Sequence, residues 1–403
     1  MEADTMTETL TRPAPTAEDS VDYVARARSI KPIIDAEAET MEAGATITKP
    51  VVDALAENEL FWVLVPREYG GGGQGIVNSL KVVEELARAD GSVGWAFMAN
   101  AFSTGVAVGF FPEDGAREMY AGADKAVTAG MILPTGTGKR VDGGYEVTGT
   151  YGFGSGSHHA SWIGAGFVVL GDDGNPEMNG ETPVCRIAFV PRDQVEFLGG
   201  WDVMGMAATG SDNYKVDGLF VPEAHTMDTF STEPVRPEAV YKLGMLGIGV
   251  GGHAPVALGI AQRALEEIAR ITADKKRPGY PTVVGDSEMF RRGFVEHDAL
   301  LQAARLYVYQ AHADAEAAAA AGTITDEHRA RLRQAATWVQ KVAQDIVTWA
   351  YNWGGSASIR NPSVLGRCLR DIAVGAQHML VEPMTLVEAS TPIIAGYLKK
   401  END

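Results

Sequence analysis

The sequence predicts an α+β protein that is mainly helical, with a small sheet domain set between two groups of helices. Apolar residues recur at helical spacing in the first part of the chain, alternate with polar residues from about residue 126, and return to three- and four-residue steps near residue 236. We therefore predict an N-terminal helical domain at 18–125, a central β-domain (a small barrel or sheet) at 126–235 and a C-terminal four-helix bundle at 236–403. Residues 1–17 lack periodicity and are predicted to be a mobile tail.

The composition narrows the classes of function. The chain has 403 residues, with 34 lysines and arginines against 53 aspartates and glutamates, and a formal net charge of −19. This acidity disfavours nucleic acid and anionic membranes as partners, because both attract basic surfaces. Cys185 and Cys368 show no CxxC spacing and are typical of buried thiols in a reducing compartment, so we expect a cytoplasmic protein. No residue cluster has metal-ligand spacing, so no metal site is predicted.

Two stretches bear on whether the chain has a targeting or membrane segment. The first residues are acidic and lack an apolar core, so we do not expect a signal peptide. The longest apolar run, 245–261, is interrupted by glycines, His253 and Pro255. We interpret it as the start of a tightly packed internal helix rather than a membrane span.

The N-terminal helices follow from apolar residues at helical spacing. This spacing begins at Val21, returns from about residue 48 to 60, and resumes near Ile76. The four glycines at 70–73 predict a break, because glycine is unfavourable in a helix interior. Asp-Gly-Ser at 90–92 interrupts the next helix, and a further apolar helix follows it.

The β-domain is predicted from a change to alternating residues. Val-Asp-Gly-Gly-Tyr at 141–145 is a strong hairpin signal. Short strands are predicted at 163–170, 184–190 and 214–221, and a polar loop at 171–182.

The rest of the chain is predicted to be helical. One long helix covers 241–274, and apolar stripes in steps of three and four mark helices at 286–321 and 332–353. A Gly-Gly pair ends the third of these. A last helix is predicted to begin after Pro362 and to continue through Met379. Stripes of this kind pack long helices side by side, as in a bundle.

The glycine-rich stretch at 151–162 suggests a ligand surface. Phe153 and Ser155 are two residues apart, so on a strand both side chains face the same side. Gly154 and Gly156 lack side chains, so a flat ring with polar edges could approach the backbone closely. A glycine-rich bulge at a sheet edge would explain the same stretch equally well.

Five short motifs in one order resemble the acyl-CoA dehydrogenase fold. They are Pro66-Arg-Glu-Tyr-Gly-Gly71, Asp90-Gly-Ser-Val-Gly-Trp95, Gly143-Gly-Tyr-Glu-Val-Thr-Gly149 with Phe153-Gly-Ser-Gly156, Trp201-Asp-Val-Met-Gly-Met-Ala-Ala-Thr-Gly-Ser211, and Trp353-Gly-Gly355 with Leu369-Arg-Asp371. The likeness runs from about residue 20 to 397. It is greatest to the oxygen-activating branch, the two-component flavin-dependent monooxygenases.

The resemblance implies a cofactor, partners and an assembly. The cofactor would be reduced flavin, either FAD or FMN, delivered by a separate NAD(P)H-dependent flavin reductase. With O₂ it would form a C4a-hydroperoxide that hydroxylates a small apolar or aromatic substrate. Ser155 would also offer a hydrogen bond at the reactive edge of the ring. The implied flavin-binding residues are Met131, Leu133, Phe153, Gly154, Ser155, Trp353, Gly354 and Gly355. The implied assembly is a homotetramer, a dimer of dimers.

The resemblance also implies an acid/base group and a substrate pocket. His378 stands eight residues after Arg370, where the hydroxylase branch has a catalytic histidine, and imidazole suits proton transfer near neutral pH. On a helix, His378 would share a face with Arg370. The implied substrate-lining residues are Trp95, Met379 and His158, although His159 remains an alternative to His158. The five other histidines, at 225, 253, 297, 312 and 328, are interpreted as structural or surface residues.

The departures from the dehydrogenases separate the competing functions. Their usual base position, nine residues after Arg370, holds Met379, and the alternative position near Ile268 is not acidic either. A displaced base at Glu382 keeps α,β-dehydrogenation of a CoA thioester as an alternative. A flavin-fold binding protein without catalysis is the further alternative.

Other departures concern phosphate contacts. Ala207 stands where the family has arginine, and the segment 275–279 lacks the expected phenylalanine. Weaker pyrophosphate contacts would suit a flavin that arrives by diffusion, or FMN in place of FAD. The Gly-x-Gly-Lys within 134–139 lacks the spacing of a phosphate-binding loop.

Overall fold

The computed structural model describes residues 21–120, 122, 124–279 and 281–399, so the predicted tail at 1–17 lies outside the described residues. The N-terminal helices are α1 (Tyr23–Ser29), α2 (Lys31–Gly44), α3 (Lys49–Glu57), α4 (Ile76–Ala89), α5 (Gly91–Phe110) and α6 (Glu113–Tyr120). Two short 3₁₀ turns, Leu60–Trp62 and Arg67–Tyr69, occupy the predicted break before α4.

The interruption between α4 and α5 is a helix cap. Asp90 has an extended backbone, and its carboxylate accepts the backbone N–H groups of Ser92 and Val93 at 3.0 and 3.2 Å. These are two of the donors that a helix leaves unpaired at its start, so Asp90 fixes where α5 begins.

The central region is a mixed sheet. Its strands are β1 (Thr128–Val141), β2 (Gly144–Tyr151), β3 (Trp162–Leu170), β6 (Cys185–Pro191), β7 (Glu196–Gly199), β8 (Asn213–Pro222) and β9 (Thr226–Asp228), in the order β7-β8-β2-β1-β3-β6-β9. A separate small hairpin, β4 (Met178–Asn179) with β5 (Thr182–Pro183), lies largely in the predicted polar loop. The predicted β1–β2 hairpin is confirmed, and β1 pairs with β3 in parallel.

The C-terminal region confirms three long helices and corrects the last one. The helices are α7 (Gly244–Asp274), α8 (Glu288–Ala320), α9 (Asp326–Gly354), α10 (Ser356–Ile359), α11 (Val364–Gly375) and α12 (Met384–Lys399). The prediction that one helix continues through Met379 is wrong, because α11 ends at Gly375 and a 3₁₀ turn, Met379–Val381, leads to α12. Pro383 keeps the chain from running on as one helix into α12, since proline disfavours helical backbone in the residue before it, and Glu382 is extended.

The helices at both ends of the chain share one hydrophobic core. That core includes Leu80 and Phe97 of the first region together with Leu258 and Val339 of the last, whereas the sheet has a core of its own around Tyr145 and Phe167. By length and composition alone, α5 and the stretch Tyr241–Asp274 could cross a membrane, yet 83% of each apolar window is buried inside the fold. The domain boundaries drawn from the sequence stay predictions.

Candidate active site

The glycine-rich stretch forms a tight turn after β2, not a continuation of the strand. Phe153 has a positive φ of 60°, and Gly156 has one of 73°. A side chain at Gly156 would begin 2.4 Å from Asn100 Oδ1, so glycine is required where this turn approaches α5. The prediction that Phe153 and Ser155 face the same side of a strand is therefore wrong. Phe153 is 66% exposed, whereas Ser155 is buried.

Ser155 belongs to a chain of hydrogen bonds that crosses three segments. Trp95 on α5 donates its indole N–H to Ser155 Oγ at 3.1 Å. Ser155 Oγ lies 2.7 Å from Ser211 Oγ, which lies 2.7 Å from Thr209 Oγ1. Thr209 Oγ1 donates to the carbonyl of Met206 at 2.8 Å. This hydroxyl relay, Trp95–Ser155–Ser211–Thr209, joins α5 to the turns before β3 and before β8.

The turn that carries Thr209 and Ser211 is fastened to α11. A side chain at Gly205 would begin 2.3 Å from the carbonyl oxygen of Arg370, so the two backbones touch. Asp371 Oδ1 accepts the backbone N–H of Met206 at 2.6 Å. Burial and the neighbouring Asp90 carboxylate raise the pKa of Asp371 to about 7. The Leu-Arg-Asp motif on α11 thus fixes the position of the turn that carries Thr209 and Ser211.

Two imidazoles and one indole meet beside the relay. The His378 ring lies 4.3 Å from the His253 ring and 5.7 Å from the Trp95 ring, centroid to centroid. Because His378 follows the end of α11, the prediction that it shares a helix face with Arg370 is wrong. His253, interpreted from the sequence as a structural or surface residue, is buried and lies against His378 and Trp95, so its role stays a prediction. The glycines beside His253 in α7 face other side chains, because a side chain at Gly251 would begin 2.7 Å from His312 Nε2 and one at Gly252 2.5 Å from Met98 Cγ. No local signal in the sequence therefore pointed to the contact with His378.

The hydrogen bonds assign the protons of the two imidazoles. His253 Nδ1 lies 2.9 Å from the carbonyl of Gly249, so Nδ1 carries a hydrogen and Nε2 keeps its lone pair in the neutral ring. His378 Nδ1 accepts the backbone N–H of Leu380 at 3.3 Å, so the hydrogen of the neutral ring is on Nε2. Burial lowers the pKa of His378 to about 4, and burial together with His378 lowers that of His253 well below its usual value. At pH 7 the pair offers one N–H donor and one lone pair.

The two other implied flavin-binding sets, in β1 and at the end of α9, have contacts of their own. Met131 is half-buried against the sheet core and donates its N–H to Tyr214 Oη at 2.6 Å, and Leu133 is half-buried in β1. At the end of α9, Arg277 donates to the carbonyl of Trp353 at 2.8 Å, and Lys275 donates to that of Gly354.

Lys275 and Arg277 both lie near Gly355. The point where a side chain would begin at Gly355 lies 3.7 Å from Lys275 Nζ and 3.7 Å from Arg277 Nη2. Their partners within the described residues are backbone carbonyls, not carboxylates. Both charges therefore remain available to an anion.

The neighbouring histidines of the turn have structural partners. His158 Nδ1 lies 2.8 Å from Thr46 Oγ1, and His158 Nε2 lies 2.7 Å from Asp212 Oδ2, so both of its nitrogens are engaged. His159 points inward, with Nε2 2.8 Å from Asn100 Oδ1, and burial lowers its pKa to about 4. A substrate-binding role for His158 would require one of its two contacts to open.

None of the three positions considered for a carboxylate base suits that role. Met379 is 52% exposed, Glu382 is exposed at the surface, and Ile268 is buried in the helical core. The Gly-x-Gly-Lys stretch at 134–139 lies in β1 rather than in a phosphate-binding loop. Within the described residues, no group of three or more His, Cys, Asp or Glu side chains could hold a metal ion.

The arrangement around Ser155 fits a flavin ring. The exposed Phe153 ring lies edge-on to Trp201 at 6.2 Å between centroids, which leaves aromatic surface for a flat ligand to cover. Gly154, between Phe153 and Ser155, adds no side chain, and the Ser155 hydroxyl supplies a hydrogen-bonding group beside this surface.

Comparisons with known proteins agree with this geometry. The sequence profile of the acyl-CoA dehydrogenase N-terminal domain matches residues 19–119, and that of the C-terminal domain matches residues 251–383. The indole-3-acetate monooxygenase of Pseudomonas putida is 26% identical over 358 residues, covering 87% of this chain and 90% of that protein. The flavin-dependent monooxygenase oxygenase subunit HsaA of Rhodococcus jostii is 25% identical over 383 residues, covering 89% of this chain and 94% of that protein.

Solved structures share the fold at lower identity. XiaF from Streptomyces sp., in complex with FADH2 and glycerol, superposes with a TM-score of 0.85 at 21% identity, covering 95% of this chain and 96% of that chain. The 3-HSA hydroxylase from Rhodococcus sp. RHA1 gives a TM-score of 0.83 at 23% identity, covering 94% and 98%.

The chain therefore belongs to the acyl-CoA dehydrogenase superfamily, as the five motifs predicted. Within that superfamily it is a flavin-dependent monooxygenase, the oxygenase component of a two-component system, and it uses reduced FAD or FMN supplied by a separate flavin reductase. The predicted fold class, enzyme class and cofactor are confirmed. The roles assigned to single residues stay predictions.

Proposed function

We propose that this enzyme hydroxylates a small, largely apolar aromatic compound held against Trp95, between the relay and the His253–His378 pair. The observation that carries the proposal is the neutral imidazole pair, which presents one donor and one acceptor beside an indole. An aromatic ring stacks favourably on such a surface, and a ring hydroxyl or N–H would find a partner there. Relatives named for indole-3-acetate and for resorcinol support this class of substrate.

The residues of this chain have separable roles in the proposal. Reduced flavin supplies the activation of O₂ and the transfer of one oxygen atom, while the second oxygen atom leaves as water. His378 donates a hydrogen bond from Nε2, and the lone pair on His253 Nε2 accepts a proton or a hydrogen bond from the substrate. Met379 adjoins His378 with half of its surface open, so a bound substrate would cover it and exclude water.

The same features count against dehydrogenation of a CoA thioester. That reaction needs a carboxylate held over the flavin, and the expected position is Met379, whose thioether is not a base. Glu382 lies exposed beyond the following turn. Because an exposed carboxylate is solvated, it is poorly suited to remove a proton within a dry site.

Lys275 and Arg277 are proposed to bind the flavin phosphate, because both cations adjoin the Gly354-Gly355 backbone without a carboxylate partner in the described part of the chain. Replacing either one with alanine should weaken FMN binding, while binding of riboflavin, which lacks the phosphate, should change little. Equal losses for FMN and riboflavin would exclude this role.

The cosubstrate of the reductase, the reactants, the assembly and the cellular location are proposals as well. An NAD(P)H-dependent reductase delivers the flavin, and O₂ and a small molecule are the reactants. The assembly is a homotetramer, supported by the exposed apolar side chains of α12, which include Met384, Val387, Ile394 and Tyr397. A cytoplasmic location is supported by the free, buried thiols of Cys185 and Cys368.

Product analysis tests the proposal directly. The protein would be incubated with a flavin reductase, NADH, FMN or FAD, and a panel of phenols and nitrogen or sulfur heterocycles under ¹⁸O₂. We expect one ¹⁸O atom in the product for each NADH used productively. Anaerobic bleaching of the oxidised flavin by an acyl-CoA, with no labelled product from any panel member, would overturn the proposal in favour of dehydrogenation.

A further inference from the structure

A largely apolar cavity lies where α7 begins. It has a volume of about 190 Å³ and is bounded by the start of α7, by α9 and by the segment 229–232 after β9. Phe230 and Leu246, which line the cavity, are 52% and 37% exposed, and Val250 and Leu332 lie in its wall. An aromatic or aliphatic part of a ligand would cover these side chains and gain the free energy of apolar burial.

Two arginines four residues apart on α9 line the same cavity, and they differ in what compensates their charge. Arg333 forms a close ion pair with Glu388 of α12. Arg329 donates Nη1 to the backbone carbonyl of Leu243 at 2.8 Å, and it forms no ion pair with a carboxylate in the described part of the chain. A guanidinium has five N–H donors, so Arg329 keeps its charge and several donors for a ligand. Because a planar guanidinium matches a carboxylate, the cavity combines an apolar wall with an anchor for an acid.

The cavity adjoins the face of α7 that carries His253. Leu246, Val250 and His253 follow one another at spacings of four and three residues, so they share one face of the helix. Arg329 Nη1 lies 3.7 Å from the point where a side chain would begin at Gly244, nine residues before His253. Nine residues span about 14 Å of helix axis, and hydrogen bonds of about 3 Å at both ends leave about 8 Å for the ligand. An aromatic ring with a short acidic side chain has this reach.

We propose that Arg329 binds a carboxylate of the substrate and makes the enzyme selective for aromatic acids over neutral aromatic compounds of the same shape. The inference rests on the proposed function for the placement of the aromatic ring beside Trp95. A neutral analogue would leave the guanidinium without a counter-charge and would lose a charge-assisted hydrogen bond, and this difference between the two ligands sets the preference. Because Arg329 binds the end of the substrate remote from the reacting ring, it determines specificity and takes no part in the chemical step.

Matched pairs of acid and amide test this assignment. Product formation under ¹⁸O₂ would be measured with FMN, NADH and a flavin reductase for 4-hydroxyphenylacetate, for indole-3-acetate and for the amide of each. We expect kcat/KM of the wild type to be about tenfold or more higher for an acid than for its amide, the value of one charged hydrogen bond. Arg329→Gln keeps a donor for the carbonyl of Leu243 but removes the charge. For this variant kcat/KM should fall about tenfold to hundredfold for the acid, mainly through KM, and change little for the amide. Arg329→Lys keeps the charge and should retain part of the preference.

The double variant Arg333→Met/Glu388→Gln is the matched control, because it removes an arginine from the same cavity without changing the net charge. It should leave the ratio of acid to amide unchanged. Thermal unfolding would show that each variant is folded, and the wild-type ratio tests the inference without any variant. Equal kcat/KM for acid and amide in the wild type, turnover of neutral compounds alone, an equal fall for acid and amide in folded Arg329→Gln, or the same selective loss in the double variant would overturn the inference. Absence of labelled product from acids, amides and neutral aromatic compounds alike would instead overturn the proposed function.

Discussion

Two pairs of buried histidines differ in what surrounds them. His253 and His378 lie with their rings 4.3 Å apart, next to the Trp95 indole. His159 and His312 lie singly in the interior, each with one ring nitrogen bonded to the protein and the other without a partner among the described residues. Burial lowers the pKa of His378, His159 and His312 alike to about 4.

The comparison shows that a lowered pKa reports burial and does not by itself mark a catalytic group. The difference lies in complementary hydrogen-bonding atoms and, between His378 and the fully buried His312, in access. The His253–His378 pair adjoins Ser155 and Trp95, and His378 is only half-buried. The unpaired nitrogen of His312 instead faces the backbone of Gly251, where a side chain would begin 2.7 Å from it.

The largest expected effect comes from His378→Ala. Loss of one general acid/base group costs ~10²–10⁴-fold in rate, so labelled product should fall by that factor while reduced flavin still binds. In the wild type, product formation that needs neutral His378 should be constant from pH 8 to about pH 5 and decline as the pH approaches 4. Rates measured across this range, with flavin affinity as the control, check both statements. A variant that forms product at the wild-type rate would remove His378 from the mechanism.

A smaller effect is expected from His253→Phe. Phenylalanine keeps a ring against His378 but removes the Nε2 lone pair and the Nδ1–H bond to Gly249. Loss of one hydrogen bond to the substrate should lower the product rate roughly tenfold. The acid limb of the pH profile should stay in place, because the pKa of His378 is lowered by burial and burial is preserved. A product rate equal to the wild type would show that His253 only packs.

Much of the fold could be predicted because long elements repeat their pattern many times. The stripes of α8 and α9 span about eight or nine turns each, and the Asp-Gly-Gly turn fixed the β1–β2 register. The edge strands β7 and β9 have four and three residues, too few for alternation to be visible. The end of α11 could not be predicted because the apolar spacing continues beyond Gly375 to Met379.

The site was predictable as a set of motifs but not as a geometry. The motifs brought Trp95, Ser155 and His378 into one neighbourhood, and the structure joins Trp95 to both of the others. Ser211 lies 56 residues from Ser155 in the chain, and no local pattern links their hydroxyls. The direction of Phe153 depends on a positive φ, which non-glycine residues rarely adopt. Contacts of this kind are set by tertiary packing.

The smallest effect on catalysis, and a clear effect on stability, is expected from His312→Leu. A histidine whose pKa is about 4 when folded and about 6.5 when unfolded binds its proton first in the unfolded state. The free energy of unfolding therefore falls as the pH drops from about 6.5 to about 4, by about 3 kcal/mol, and the effect is complete below that range. The leucine variant lacks this titration.

Urea unfolding at pH 7 and at pH 4 measures the difference. Other groups contribute equally to both proteins, so the stability of the variant relative to the wild type should rise by about 3 kcal/mol at the lower pH. Product formation at pH 7 should be unchanged, because His312 is sealed in the core and touches none of the site residues named above. If His312→Leu lowered product formation as much as His378→Ala, access would not distinguish the two pairs, and the distinction between catalytic and structural histidines in this protein would have to be withdrawn.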